Sequence, residues 1–253
     1  MKHSILSANG LCKSFAHNGG QVHVLSQVDL ELYERDFTVI MGASGSGKST
    51  LLYALSGMDQ ATAGQVMYGG ENIVDAVEKR LASLRHSDFG FIFQQMHLVS
   101  NLSLLENIVV PGYLNKKVSV NQVKARAEEL LQMMGLSHIK SHLPSQVSGG
   151  EQKRCAIARA VINSPKLLFA DEPTGALNRK NTTEVLNLLT DLNQSGQSIL
   201  MVTHDIRAAL RATRLLYLED GKIVGDLPLP DYSLEEEKSR EAQVNAWLSA
   251  MEW

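Results

Sequence analysis

What this sequence lacks narrows its identity first. Its only cysteines, Cys12 and Cys155, show no pairing or metal-ligand spacing, so a disulfide framework is excluded and a reducing, cytosolic compartment is expected. There is no basic excess: the net charge is −3, whereas a dedicated nucleic-acid binder shows a basic patch or stripe. No nucleic-acid partner is expected. There is no long apolar run either. A spanning helix needs about 20 apolar residues, and the longest charge-free stretch, residues 89–105, has 17 and includes Gln94, Gln95 and Asn101. The opening MKHSILSANG has neither the apolar stretch nor the small-residue cleavage site of a secretory signal. Internal repeats and low-complexity segments are missing too. What is present suits an ordinary globular chain, since 44% of residues are hydrophobic and 20% charged. Its length allows one domain or two closely packed lobes. Only the end is lopsided: residues 231–253 carry a net charge of −4, which leaves residues 1–230 nearly neutral.

Hydrophobic periodicity changes along the chain. Residues 4–40 read as short strands, with approximate alternation at Val24, Val28, Leu30 and Leu32 and a buried strand at Phe37-Thr38-Val39-Ile40-Met41. A strand and turn are expected over 64–73, around Gly69-Gly70. Helices are expected over 76–85, over 120–134 with Gly135 as a stop, and from about Ser148 through Val161. From Leu167 the pattern is strand, helix, strand, over 167–170, 180–194 and 199–202. Such alternation argues for an α/β fold with a parallel sheet and crossover helices. The mostly helical stretch of about 95–160 interrupts it as a separate lobe.

The strand ending at Met41 runs into Gly42-Ala43-Ser44-Gly45-Ser46-Gly47-Lys48-Ser49-Thr50 and then a helical pattern. Two glycines enclosing four residues, followed by Lys-Ser, form a phosphate-binding loop in its required strand–loop–helix context. Glycines let successive N–H groups turn inward, and the helix start adds its positive end. Lys48 is expected to reach the β- and γ-phosphates of a nucleotide, and the Ser49 hydroxyl to ligate Mg²⁺. Farther on, Leu167-Leu168-Phe169-Ala170 leads into Asp171-Glu172, two carboxylates at the carboxyl end of a strand, where α/β sheets bind ligands. Asp171 suits a Mg²⁺-bound water and Glu172 a general base. A helix cap or surface turn is the alternative for the pair taken alone.

Ser148-Gly149-Gly150-Glu151 lies 100 residues after Lys48 and 23 before Asp171. In this order the motifs resemble the ATP-binding-cassette family, and the likeness covers about residues 4–225. A glycine-rich helix start with a small hydroxyl offers a second anion site. The resemblance implies that this site meets a γ-phosphate held by another copy of the domain. It also implies a glutamine loop at Gln94, in Gly90-Phe91-Ile92-Phe93-Gln94, which senses Mg²⁺ and the attacking water and faces a membrane partner. His204, in Met201-Val202-Thr203-His204-Asp205 and 32 residues after Glu172, matches the switch histidine that contacts the γ-phosphate. Phe15 matches the aromatic that stacks on adenine, although an aromatic near a first strand serves equally as core. One departure stands out: the family places Asp where this chain has Asn178, whose plain role is to cap the following helix.

The fold so implied is a P-loop nucleoside triphosphatase core with a mostly parallel sheet, an N-terminal antiparallel β region and an inserted helical lobe. Residues 1–230 form the ATPase domain and 231–253 an acidic helical tail. The cofactors implied are ATP and Mg²⁺. The partners are a second copy of the subunit, head to tail, and an integral membrane permease that holds the chain on the inner face of the membrane. Ile40-Met41-Gly42-Ala43-Ser44-Gly45-Ser46-Gly47-Lys48, Gly90-Phe91-Ile92-Phe93-Gln94, Glu151 and Phe169-Ala170-Asp171-Glu172-Pro173-Thr174-Gly175 together resemble the branch of antimicrobial-peptide and macrolide exporters and lipoprotein-release and cell-division ATPases. The runs at 41–45 and 169–177 most resemble its peptide-resistance members. This implies export of peptide or macrolide-like antimicrobials, with mechanical regulation of a membrane protein as the alternative. In the tail, Val244, Trp247, Leu248 and Met251 share a helical face. It docks either on the chain's own core or on a partner or membrane surface.

Overall fold

The computed structural model describes residues 2–17, 20–251 and 253. The chain divides into two compact units: Met1–Leu81 with Asn193–Trp253, and Ala82–Leu192.

The first unit opens with β1 (Ser4–His17), β2 (Gly20–Tyr33) and β3 (Phe37–Met41), followed by α1 (Lys48–Leu55), β4 (Ala63–Tyr68) and β5 (Glu71–Asn72). β1 and β2 form one long antiparallel pair instead of the short strands expected from the sequence. Register shifts, among them one between Ala8 and Leu11, let each strand bend and continue. These shifts also break the strict alternation that marks strand length in a sequence. β4 joins the other edge of β1, and β5 pairs with β4 across the Gly69-Gly70 turn.

The unit boundary falls within α2 (Glu78–Ser87). The second unit then contains β6 (Phe89–Ile92), α3 (Leu104–Tyr113), α4 (Val120–Met133), α5 (Gly149–Val161), β7 (Leu167–Asp171) and most of α6 (Arg179–Gln194). β6 and β7 are parallel, Phe89 lying opposite Leu167. The amphipathic face read in the sequence is the buried face of α4: Val123, Ala127, Leu130 and Leu131. Gly135 follows this helix with a φ of 67°, a left-handed stop that glycine adopts without a Cβ penalty.

The chain returns to the first unit with β8 (Ser198–Val202), α7 (Ile206–Ala209), β9 (Arg214–Glu219), β10 (Lys222–Pro228) and α8 (Glu237–Ala250). β3 pairs in parallel with β8 and with β9, and β10 runs antiparallel to β9. Every residue of β3, β7 and β8 is buried, as expected of strands covered on both faces. This is why their sequences are nearly continuous apolar runs.

The tail docks on its own chain. Val244 and Leu248 are buried, and Trp247 and Trp253 meet the Tyr217 ring edge-on at 6.3 and 6.1 Å. A Cβ at Gly225 would lie 2.8 Å from Trp247 and 2.9 Å from the Met251 sulfur, so glycine there lets α8 settle onto β10. The Arg240 guanidinium, itself buried, donates to the carbonyls of Ala212 (2.8 Å) and Pro230. Among the described residues, no helix is long and apolar enough to cross a membrane.

Candidate functional site

The first unit carries Phe15, the 42–50 loop and His204. β3 delivers the chain to Gly42, where a Cβ would come within 2.1 Å of the Leu218 carbonyl oxygen, so only glycine fits against β9. Gly45 and Gly47 have φ of 84° and 100°, and Gly47 caps α1 in a left-handed conformation. Among the described residues no side chain caps this helix, and its first turn holds no acidic residue. The positive end of the helix dipole therefore lies at the loop, where negative charge is favoured. The Lys48 ammonium is buried and donates to the carbonyls of Gly42 and Ala43, at 2.8 and 2.9 Å. Among the described residues the buried Ser46 hydroxyl has no hydrogen-bond partner, a state that a polyoxyanion in the loop would relieve. Ala43 and Ser44 are exposed, and Ser49 and Thr50 are half-buried on the first turn of α1.

His204 is exposed just beyond β8. The amide of the buried Thr203 before it donates to the Ile40 carbonyl at 3.1 Å. This bond ties the histidine's backbone to the strand that feeds the phosphate loop. Asp205 after it caps α7 by accepting from the Arg207 amide. Phe15, on β1 opposite Val22, is 43% exposed with the Lys13 ammonium 4.7 Å from its ring centroid. Its ring is a surface aromatic and not a core side chain.

The second unit carries Gln94, Ser148, Gly149, Gly150, Glu151, Asp171 and Glu172. Asp171 is the buried last residue of β7. Glu172 turns the chain with a φ of 44°, a left-handed conformation that costs a residue with a side chain about 1–2 kcal/mol. Strain of this kind collects where a side chain must be aimed. The Glu172 carbonyl accepts from the Gly175 amide at 3.0 Å, closing the turn. A Cβ on Gly175 would stand 3.1 Å from both Cγ and Nε2 of Gln94. The glutamine segment and the turn after Asp171-Glu172 are thus brought together.

Ser148 caps α5 in a full capping box. Its hydroxyl and its amide both donate to the Glu151 carboxylate at 2.7 Å. These two bonds, hydroxyl first, hold the Glu151 carboxyl below its ordinary range. Ser148 and Gly149 are exposed, whereas Gly150 is buried and a Cβ there would meet the Asn181 amide at 2.6 Å. Asn181 is positioned in turn by Asn178, whose side chain accepts from its backbone amide at 2.9 Å. Asn178 therefore caps α6, a role that needs an acceptor and no charge.

Residues 25–175 match the family described as ABC transporter. The chain belongs to the ABC transporter family. Within it this is an ATP-binding ATPase cassette. It is 43% identical over 227 residues to the macrolide export ATP-binding/permease protein MacB of Bradyrhizobium diazoefficiens, covering 89% of this chain and 34% of that protein. To the protein of the same description from Pasteurella multocida it is 36% identical over 253 residues, covering 100% of this chain and 38% of that one. The cassette thus spans little more than a third of these relatives. Two dimeric structures of the ATP-binding cassette MJ0796 superpose with a TM-score of 0.83 at 35% identity. Each comparison covers 90% of this chain and all of that one, and one of the two is a post-hydrolysis state bound to ADP and Pi.

Sequence reasoning missed the residues that hold the glutamine segment of this cassette. Lys153 is fully buried, and its ammonium donates to the carbonyls of Phe93 (2.9 Å) and Gln94 (2.7 Å). The Arg159 guanidinium donates to those of Met96 and His97, both at 2.7 Å. Asn107, also buried, accepts from the Val99 amide and donates to the carbonyls of Val99, Leu102 and Ser103. A faint signal for Lys153 existed: it stands four residues before Ile157, on a face otherwise made of Ile157 and Val161.

Proposed function

We propose that this cassette is the ATP-hydrolysing motor of a transporter that exports, or confers resistance to, macrolide-like or peptide antimicrobials. The observation that carries the ATPase reading is the 42–50 cradle: left-handed glycines and, among the described residues, a helix start with no side-chain cap and a buried Ser46 hydroxyl with no hydrogen-bond partner. The cargo reading is supported by the likeness to macrolide export proteins along most of the chain. In this reading Gly42 through Thr50 wrap the phosphates, with Lys48 on the β- and γ-phosphates, and Phe15 stacks on adenine. Ser49, Asp171 and Gln94 would hold Mg²⁺, which when bound would neutralise charge on the phosphates. Oxygen donors of this kind suit a cation that keeps several waters and leans on phosphate oxygens. Glu172 takes a proton from the attacking water, and His204 contacts the γ-phosphate.

The phosphate lies between this loop and the Ser148-Gly149-Gly150-Glu151 turn of a second, head-to-tail copy, so nucleotide closes a dimer and hydrolysis reopens it. A membrane permease takes up the stroke at the glutamine segment. There a cleft of about 210 Å³ is lined by Arg85, His86, Phe91, Phe93, Pro111 and Arg159. Moving a membrane protein mechanically without drug export would use the same engine, and the closeness of lipoprotein-release and cell-division motifs favours keeping that reading beside the first.

The test is Glu172→Gln with Lys48→Ala as its counterpart. Glu172→Gln is expected to bind ATP while turnover falls about 10²–10⁴-fold, and Lys48→Ala to lose binding. Near-normal hydrolysis by Glu172→Gln removes Glu172 from the role of base. Co-purification with the permease, followed by ATPase stimulation with macrolides or cationic peptides, separates export from regulation.

A further inference from the structure

Helix α5 begins with the Ser148-Gly149-Gly150-Glu151 turn, the family's signature, and carries, farther along, the two cations that grip the glutamine segment. Among the described residues neither Lys153 nor Arg159 pairs with a carboxylate; four main-chain carbonyls of residues 93–97 receive them instead. The grip is continuous. Lys153 takes Phe93 and Gln94, and Arg159 takes Met96 and His97, at 2.7–2.9 Å throughout. The first turn of the helix also runs close to the segment, since a Cβ on Gly149 would lie 3.9 Å from the Met96 methyl. The segment is stiff in its own right. Phe93 stacks on Phe91 and meets the His97 ring edge-on, and His97 sits at a φ of 47°.

A wholly buried ammonium is a costly way to fill a core position. An unbranched apolar side chain of similar volume avoids the desolvation cost. What the ammonium supplies and a methionine cannot is donors for two carbonyls that irregular backbone leaves unpaired. We propose that Lys153 and Arg159 are positioning residues that lock the backbone of residues 93–97 to α5. The Gln94 amide and the Ser148-Gly149-Gly150 turn then move as one body. This deepens the reading of Gln94 and the signature given above and rests on it. A permease pressing on residues 93–97 thereby shifts the signature turn, and a phosphate engaging that turn shifts Gln94.

The test uses the purified full chain with Lys153→Met, Gln94→Ala and their combination, and Arg159→Lys as a milder variant should Lys153→Met fold poorly. Hydrogen exchange read by mass spectrometry is expected to quicken in peptides covering residues 93–97 while α5 itself keeps its protection. Unchanged exchange there overturns the lock whatever the activity shows. In turnover, Lys153→Met is expected to lower kcat about tenfold, the scale of one lost charge-assisted hydrogen bond, with KM for ATP little changed. Adding Gln94→Ala to Lys153→Met is expected to cost little more, because both changes remove the same positioned amide. Full additivity of the two losses refutes action through Gln94, and Lys153→Arg, which keeps the donors, is expected to recover part of the rate. If Gln94→Ala alone leaves turnover intact, the assignment of Gln94 fails, and hydrogen exchange still decides the lock.

Discussion

Lys153 shows at the scale of one residue how burial and pH are linked. Its ammonium is pushed down from 10.5 to about 8 by desolvation, and the side chain has no exposed surface. Below about pH 8 both the folded and the unfolded chain hold the proton, and the folded state bears the whole cost of a buried charge. Between about 8 and 10.5 the folded chain has shed the proton and the unfolded chain keeps it, so stability rises with pH in this window. Above 10.5 both forms are neutral and the gain is complete. A shift of this size corresponds to about 3 kcal/mol at 1.36 kcal/mol per unit. Relative to Lys153→Met, the wild-type chain is therefore expected to gain about 2 kcal/mol between pH 7 and 9.5. Paired urea denaturation curves at the two pH values measure it, and parallel behaviour of the two proteins would falsify the assignment. A neutral amine still has two N–H groups for Phe93 and Gln94, so the grip on the loop survives the titration.

At the scale of elements, α3, α4 and α5 start in the same way, with one difference that acid exposes. Their capping boxes pair Ser103 with Glu106, Ser119 with Gln122 and Ser148 with Glu151. The serine hydroxyl and then the serine amide hold Glu106 and Glu151 below the ordinary carboxyl range, whereas Gln122 has no proton to gain. A depressed carboxyl contributes stability above its unfolded value and loses it as pH falls through the folded one. Acidification is thus expected to loosen the first turns of α3 and α5 before that of α4. Amide chemical shifts of Glu106, Gln122 and Glu151 report it, and Glu151→Gln should remove the acid response from α5 alone. The same elements show what a sequence can tell. β3, β7 and β8 were legible because strands buried on both faces are apolar at nearly every position. α4 was legible because its apolar face keeps helical spacing. The length of β1 and β2 was not, because register shifts hide alternation. The 42–50 loop and the Ser148-Gly149-Gly150-Glu151 turn were legible as local words. The grip of Lys153 was not, because its acceptors lie about 60 residues away on irregular backbone and a lone lysine in a helix reads as surface.

At the scale of the whole molecule the proposed engine is only half contained in one chain, and Gly149 offers a way to break the pair without harming the fold. Gly150 is unsuitable, since any side chain there collides with Asn181. Gly149, the first residue of α5, is exposed and, among the described residues, has only the Met96 methyl near the position of a Cβ. An aspartate at this position faces the positive end of the helix, which favours it by about 0.3–1 kcal/mol. Gly149→Asp should therefore fold at least as well as the parent, and ATP binding at its own 42–50 loop should persist. The new carboxylate would stand where the other copy brings a phosphate. Like charges about 4 Å apart in a partly dry interface repel by roughly 4 kcal/mol, so association should weaken on the order of 100-fold or more. Light scattering in the Glu172→Gln background with ATP reads this directly: a dimer for Glu172→Gln alone, a monomer when Gly149→Asp is added. Gly149→Asn, similar in shape and uncharged, should keep most of the dimer and so separate charge from bulk. A dimer that survives Gly149→Asp would mean that the signature turn does not meet the phosphate of a second copy. The two anion sites would then have to be explained within one chain.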